Sequence, residues 1–196
     1  GEKHELVVTL KTETKAQQDL IRVGAHVGAG AARLHGLDHS TIRHSAGPGL
    51  AAGIFAEWVA LKPLHLRLEF NYRMESLGYE ERERTFSGVW ESHFLEIPFL
   101  LRYAFLKHFD AIIGPAVVAR VSASESDPTG KRNISSELSA ILIDGIVGIG
   151  YRTVWADRPL RFEARYASAL TGVAPESERG VKLGSSAWLL VVETLF

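Results

Sequence analysis

Between Leu64 and Glu75 the chain reads Leu-His-Leu-Arg-Leu-Glu-Phe-Asn-Tyr-Arg-Met-Glu, every second residue apolar and every residue between polar or charged. Side chains along a strand point alternately to opposite faces. Leu64, Leu66, Leu68, Phe70, Tyr72 and Met74 therefore share one face, and His65, Arg67, Glu69, Asn71, Arg73 and Glu75 the other. A helix would mix the two sets. At about 3.4 Å per residue the apolar face is roughly 35 to 40 Å long, above the usual soluble strand and enough to cross a bilayer on a tilted path.

The alternation recurs along the chain. Residues 20–30 set Ile21, Val23, Ala25 and Val27 against Arg22, Gly24, His26 and Gly28, and residues 50–60 set Leu50, Ile54, Ala56 and Trp58 against Gly53, Phe55 and Glu57. In residues 94–105, Leu95, Ile97, Phe99, Leu101, Tyr103 and Phe105 oppose Glu96, Pro98, Leu100 and Arg102. Phe109, Ala111, Ile113, Val117 and Val121 oppose Asp110, Gly114 and Arg120; Ile141, Ile143, Val147, Ile149 and Tyr151 oppose Asp144, Gly148, Gly150 and Arg152. Leu160, Phe162, Ala164 and Tyr166 alternate with Arg161, Glu163 and Arg165, and Trp188, Leu190, Val192 and Phe196 with Glu193.

Eight such segments, joined alternately by long and short links, predict an all-β fold: an eight-stranded antiparallel transmembrane β-barrel in up-and-down meander order. Residues 1–19 are read as a flexible leader and residues 20–196 as the barrel domain. A chain of 196 residues needs no second domain. No apolar run approaches the 18 or so residues of a spanning helix, so strands are the route into a membrane. Gly1 to Asp19 is polar and unlike a secretory signal, which suggests the mature form of an exported protein.

An Arg or Lys facing lipid at mid-bilayer costs roughly 2 to 4 kcal/mol, so the charged register must face the lumen. That places Arg22, Glu57, Arg67, Glu69, Arg73, Glu75, Glu96, Arg102, Asp110, Arg120, Asp144, Arg152, Arg161, Glu163 and Arg165 inside. An eight-stranded lumen is only wide enough for side chains, so these charges are expected to pair across it as a plug. Trp58, Phe105, Phe109, Tyr151, Phe162 and Phe196 gather at the short-turn ends as an aromatic girdle. On this reading Leu68→Arg harms folding more than Arg67→Leu.

Several segments resemble a known family. Phe94-Leu95-Glu96-Ile97-Pro98-Phe99-Leu100-Leu101-Arg102-Tyr103 looks like the "LEIPLLLKY" strand of the PorT-like outer-membrane β-barrel proteins of Gram-negative bacteria, small barrels of the OmpA and OmpX type. Ile113-Gly114-Pro115-Ala116-Val117 is similar to that family's "GPYV", with Ala116 in place of the aromatic. Phe162-Glu163-Ala164-Arg165-Tyr166 with Leu170-Thr171-Gly172 resembles its "EARYxxGLTN". The resemblance implies a bacterial outer-membrane location, outer-membrane lipid around the barrel, and engagement of the barrel-assembly machinery through Phe196. It also leads us to expect bulges at Pro98 and Pro115, since proline removes a ladder donor.

Other chemistry is sparse. Acidic and basic residues number 23 and 22, which points to no nucleic-acid partner, and the absence of cysteine excludes disulfides and thiolate chemistry. His35, His39 and His44 with Asp38 have metal-capable side chains, but no second motif supports a site, and the simpler reading is a solvated loop. Gly24, Gly28 and Gly30 precede no helix and read as room for lumen side chains. We expect no catalytic residues, no cofactor and no metal. The favoured function is structural or surface interaction through long extracellular loops, with an extracellular or secretion-system protein as partner. The alternatives are a soluble lipocalin-like carrier and an outer-membrane component of a secretion or transport system.

Overall fold

In the computed structural model the described residues are 21–35, 42–81, 86–135, 138–171 and 184–196. The strands are β1 (Ile21–His35), β2 (Ile42–Ser45), β3 (Gly47–Leu61), β4 (Leu64–Glu81), β5 (Phe86–Ala104), β6 (Phe109–Asp127), β7 (Gly130–Asn133), β8 (Ile141–Trp155), β9 (Arg158–Ala169) and β10 (Gly184–Leu195). Eight of them wind antiparallel in meander order, and β1 closes on β10 from Gly24↔Leu195 to His35↔Gly184. Closure removes the unpaired edges that lipid would not tolerate. β2 and β7, four residues each, only extend the sheet, pairing with β4 and β6.

The two registers separate by face. Ile54, Phe70 and Ile113 point outward at 62%, 50% and 58% exposure, whereas Arg67 and Glu69 across the pleat are 1% exposed. This arrangement removes the soluble-carrier alternative, which needs the apolar register around the cavity and the charges in water.

The short turns lie at one end. Lys62 and Pro63 join β3 to β4, and Phe105 to His108 join β5 to β6. Ala156 and Asp157 join β8 to β9 with φ of 49° and 60°, the positive-φ pair that a tight hairpin demands.

At the other end the strands run further than the hydropathy pattern indicates. Residues 76–92, the long link between two alternating segments, leave only 82–85 outside β4 and β5; residues 122–137 contain the end of β6 and all of β7; residues 31–48 contain the end of β1, β2 and the start of β3. Above the bilayer the outward face no longer has to be apolar, so alternation fades while the backbone ladder continues, and the inward face stays buried at Leu34, Leu77 and Ala123. β5 has 19 residues, about 60 Å at roughly 3.3 Å each, and a hydrocarbon core about 30 Å thick covers only part of that on a tilted path.

Neither proline is a bulge. Register is continuous through Pro98↔Ala116 and Pro115↔Gly145; the β4–β5 ladder lapses at Pro98 and the β5–β6 ladder at Pro115, each on the side lacking a donor. The β5–β6 register shift sits instead between His93 and Phe94.

Candidate functional site

The lumen holds two ion-paired networks. In the larger, Arg165 on β9 grips Glu69 on the diametrically opposite β4 with two parallel bonds of 2.8 and 2.9 Å, and donates to Glu163 at 2.5 Å and Glu193 at 3.0 Å. Arg67 lies 2.6 Å from Glu69 and 2.6 Å from Glu193, and its guanidinium stacks on Phe55, 3.6 Å from the ring centroid. A side chain on Gly24 would collide with that Phe55 ring, so the glycine makes the stack possible. Gly28 likewise faces Val191, but Gly30 is pressed against the Trp188 backbone and gives no room to a lumen side chain.

Toward the short turns, Arg161 pairs with Asp110, Glu163 and Glu193, Arg152 lies 3.4 Å from Asp110, and Arg102 pairs with Glu57, which also meets His65 at 3.0 Å. The network thus joins five arginines to five carboxylates, from strands that are mostly not ladder neighbours. Toward the long loops, Arg73 alone serves three acids: Glu96 at 2.8 Å, Asp144 at 3.2 Å and Glu75 at 3.3 Å. Arg120 stands beside this group and donates to the Ser139 carbonyl at 2.6 Å. The void between the networks is about 10 Å³, room for one water at most.

Of the fifteen lumen residues read from sequence, thirteen enter these networks; Arg22 and Arg120 form no ion pair among the described residues. Glu193, His26 and His65, which alternation also puts on the inward register though not among those fifteen, point into the lumen as well, and Glu193 meets three arginines. The lumen is also not charged all round: Leu100, Ile112, Val118, Leu142 and Ile146 fill the wall of β5, β6 and β8.

His26, Glu69 and Glu193 bring ligand atoms within 4.8 Å of one another. Arg67, Arg161 and Arg165 already hold both carboxylates, and a divalent cation among three guanidiniums is electrostatically disfavoured. The proposed histidine cluster of the first loop lies outside the described residues or their side chains.

Trp58, Phe105, Phe109, Tyr151, Phe162 and Phe196 are all outward and exposed. Phe109 sits opposite Tyr151 and Tyr151 opposite Phe162, with 5.1 Å between the Phe109 and Tyr151 rings and 6.5 Å between Phe105 and Phe109. Trp58 on β3 and Phe196 just past β10 lie at the same end, on the two sides of β1.

At the long-loop end, beyond the apolar band, Glu125 accepts hydrogen bonds from Tyr79 (2.7 Å), Trp90 (3.1 Å) and Arg132 (2.7 Å). The Tyr79 hydroxyl, then Arg132 and Trp90, hold its carboxyl below the ordinary value of 4.5 against the opposing effect of desolvation. A carboxyl lowered in the folded state contributes stability that is complete above its unfolded value and is lost as pH falls through the folded one. The tip is therefore expected to loosen only below about pH 4.5. Tyr79→Phe should raise the Glu125 pKa, read by carbon NMR of the carboxyl; an unchanged titration would show that the hydroxyl has no such role.

Residues 15–174 match the family described as outer membrane protein beta-barrel domain. No curated protein sequence matches the chain. Among solved structures it is similar to Ail, the attachment invasion locus protein of Yersinia pestis, solved in complex with the heparin analogue sucrose octasulfate: TM-score 0.51, 11% identity, 90% of this chain and 99% of that one covered. Neisserial surface protein A is similar at TM-score 0.50 and 14% identity, covering 89% of this chain and 97% of that one. Likeness at such identity concerns the fold. The family match spans most of the chain, and the chain belongs to the outer membrane protein β-barrel domain family, as a small eight-stranded barrel of the bacterial outer membrane.

Proposed function

We propose that this barrel is a closed pillar that carries an interaction surface at its long-loop end for a protein partner outside the cell. The observation that carries this reading is the height of β4, β5 and β6. They continue past the apolar band and are widened by β2 and β7 into a raised sheet. Outer-membrane barrels direct their long loops outward, which puts that sheet on the cell surface. Trp58, Phe105, Phe109, Tyr151, Phe162 and Phe196 serve as the girdle at the opposite headgroup boundary. We assign the lumen no catalytic role, because each of its carboxylates is already held by arginine. The Phe94–Tyr103 strand supports a PorT-like place within the family.

Ail was solved with a sulfated sugar. Here, in the described part of the tip, Lys131 is engaged by Glu91 at 3.0 Å and Arg132 by Glu125 at 2.7 Å. A surface of paired, mixed charge suits a protein partner better than a sulfated polyanion. Variants lacking residues 79–90 or 124–135 should still fold, shown by the heat-dependent gel shift of closed barrels, and should lose partners that cross-link to the full chain in native membranes. Identical cross-linked partners for the full chain and both variants would remove this reading.

A further inference from the structure

We infer that the short-turn mouth of the lumen binds an anionic group of phosphate or carboxylate chemistry carried on a short apolar body. A cavity of about 470 Å³ opens there, within the usual range of small-molecule sites. Arg22, Arg102, Lys107, Arg152 and Arg161 line it, with Glu193 as the acid of the lining. Phe55, Leu160 and Leu195 supply an apolar side.

The charge is distributed unevenly along the barrel axis. The larger network is balanced and closed on itself, and around Arg73 and Arg120 three acids face two bases. The surplus of positive charge thus falls at the short-turn mouth, on Arg22 and Lys107. Neither forms an ion pair among the described residues. Arg22 lies opposite Glu57 in the ladder, but Glu57 is taken by Arg102 and His65. The acids behind the mouth, Glu57, Asp110 and Glu193, are all engaged by arginines and do not cancel it.

The cavity floor is formed by Arg102 and Arg161, 4% and 5% exposed and held in place by Glu57, Asp110 and Glu193. Arg22 and Lys107, without ion pairs among the described residues above this cationic floor, suit a phosphate or carboxylate. The apolar side selects ligands with a hydrocarbon portion over a bare ion. Outer-membrane barrels turn this end to the periplasm, so the group arrives either on a soluble amphipathic anion or as the head of an anionic phospholipid.

The test is an NMR titration of the intact barrel in nanodiscs of zwitterionic lipid, reading the amides of Lys107, His108, Thr153 and Leu195. Hexyl phosphate should shift them and bind roughly tenfold tighter than inorganic phosphate, the gain of about two buried methylenes. Arg22→Gln and Lys107→Gln should each weaken binding about tenfold, one charge-assisted hydrogen bond apiece, while Lys131→Gln at the far end leaves it unchanged. The same shifts in nanodiscs containing phosphatidylglycerol, without hexyl phosphate, would identify the lipid head as the source. Amides that move with neither source, or an Arg22→Gln, Lys107→Gln double variant that binds like the parent, would overturn the inference. Both residues lie outside the ion-paired networks, so the variants keep the barrel intact.

Discussion

Arg67→Leu should destabilise the barrel by about 3–5 kcal/mol, the range for removing one partner of a buried ion pair. Arg67 is 1% exposed, contacts Glu69 and Glu193 at 2.6 Å and Glu163 at 3.8 Å, and stacks on Phe55. Its loss leaves the larger network with four arginines for five carboxylates in a site that solvent does not reach. Leu68→Arg, one position along on the outward face, should cost roughly 2–4 kcal/mol, the price of an arginine against mid-bilayer lipid. The order is thus the reverse of what hydropathy alone indicates. Alternation treats every inward charge as replaceable, whereas the structure makes Arg67 a hub between strands that share no ladder. Urea unfolding of both variants in lipid vesicles measures the ranking. A loss under 1 kcal/mol for Arg67→Leu would mean that Arg161 and Arg165 suffice without it.

The second large effect is an absence of current. Purified barrel inserted into a planar bilayer should conduct nothing measurable. Two ion-paired layers cross the lumen, and Leu100, Ile112, Val118, Leu142 and Ile146 occupy the wall they leave free. The void between the layers is about 10 Å³, too small to belong to a continuous water column. An eight-stranded barrel has no width to spare for a path around them. Stable, large steps of conductance would show that the networks part in the membrane, and would move the function toward transport. Silence would leave the raised sheet and the short-turn mouth as the functional surfaces.

Both predictions rest on features that differ in how far they can be read from residues. The membrane span was legible at Leu64–Glu75 because a bilayer demands an apolar residue at every second position on one face, and a packed lumen tolerates charge on the other. The same rule fails above the bilayer. Nothing in residues 76–81 or 86–92 distinguishes their faces, yet they pair from Ser76↔Glu91 to Glu81↔Phe86, since ladder bonds do not depend on side-chain polarity. Pro98 misled for a related reason: it signals a missing donor, and the fold absorbs this by letting one ladder lapse without shifting register.

By itself, then, the amino-acid order determined the strand number, the inward and outward faces, and the membrane that the outward face requires, all of which follow from a period of two. Which charge meets which was decided only by tertiary structure. Arg165 reaches Glu69 across 96 residues and four strands because barrel closure and stagger set the distance between them. The same closure leaves Arg22 and Lys107 without an ion pair among the described residues at the short-turn mouth, a surplus that a nearly neutral composition conceals.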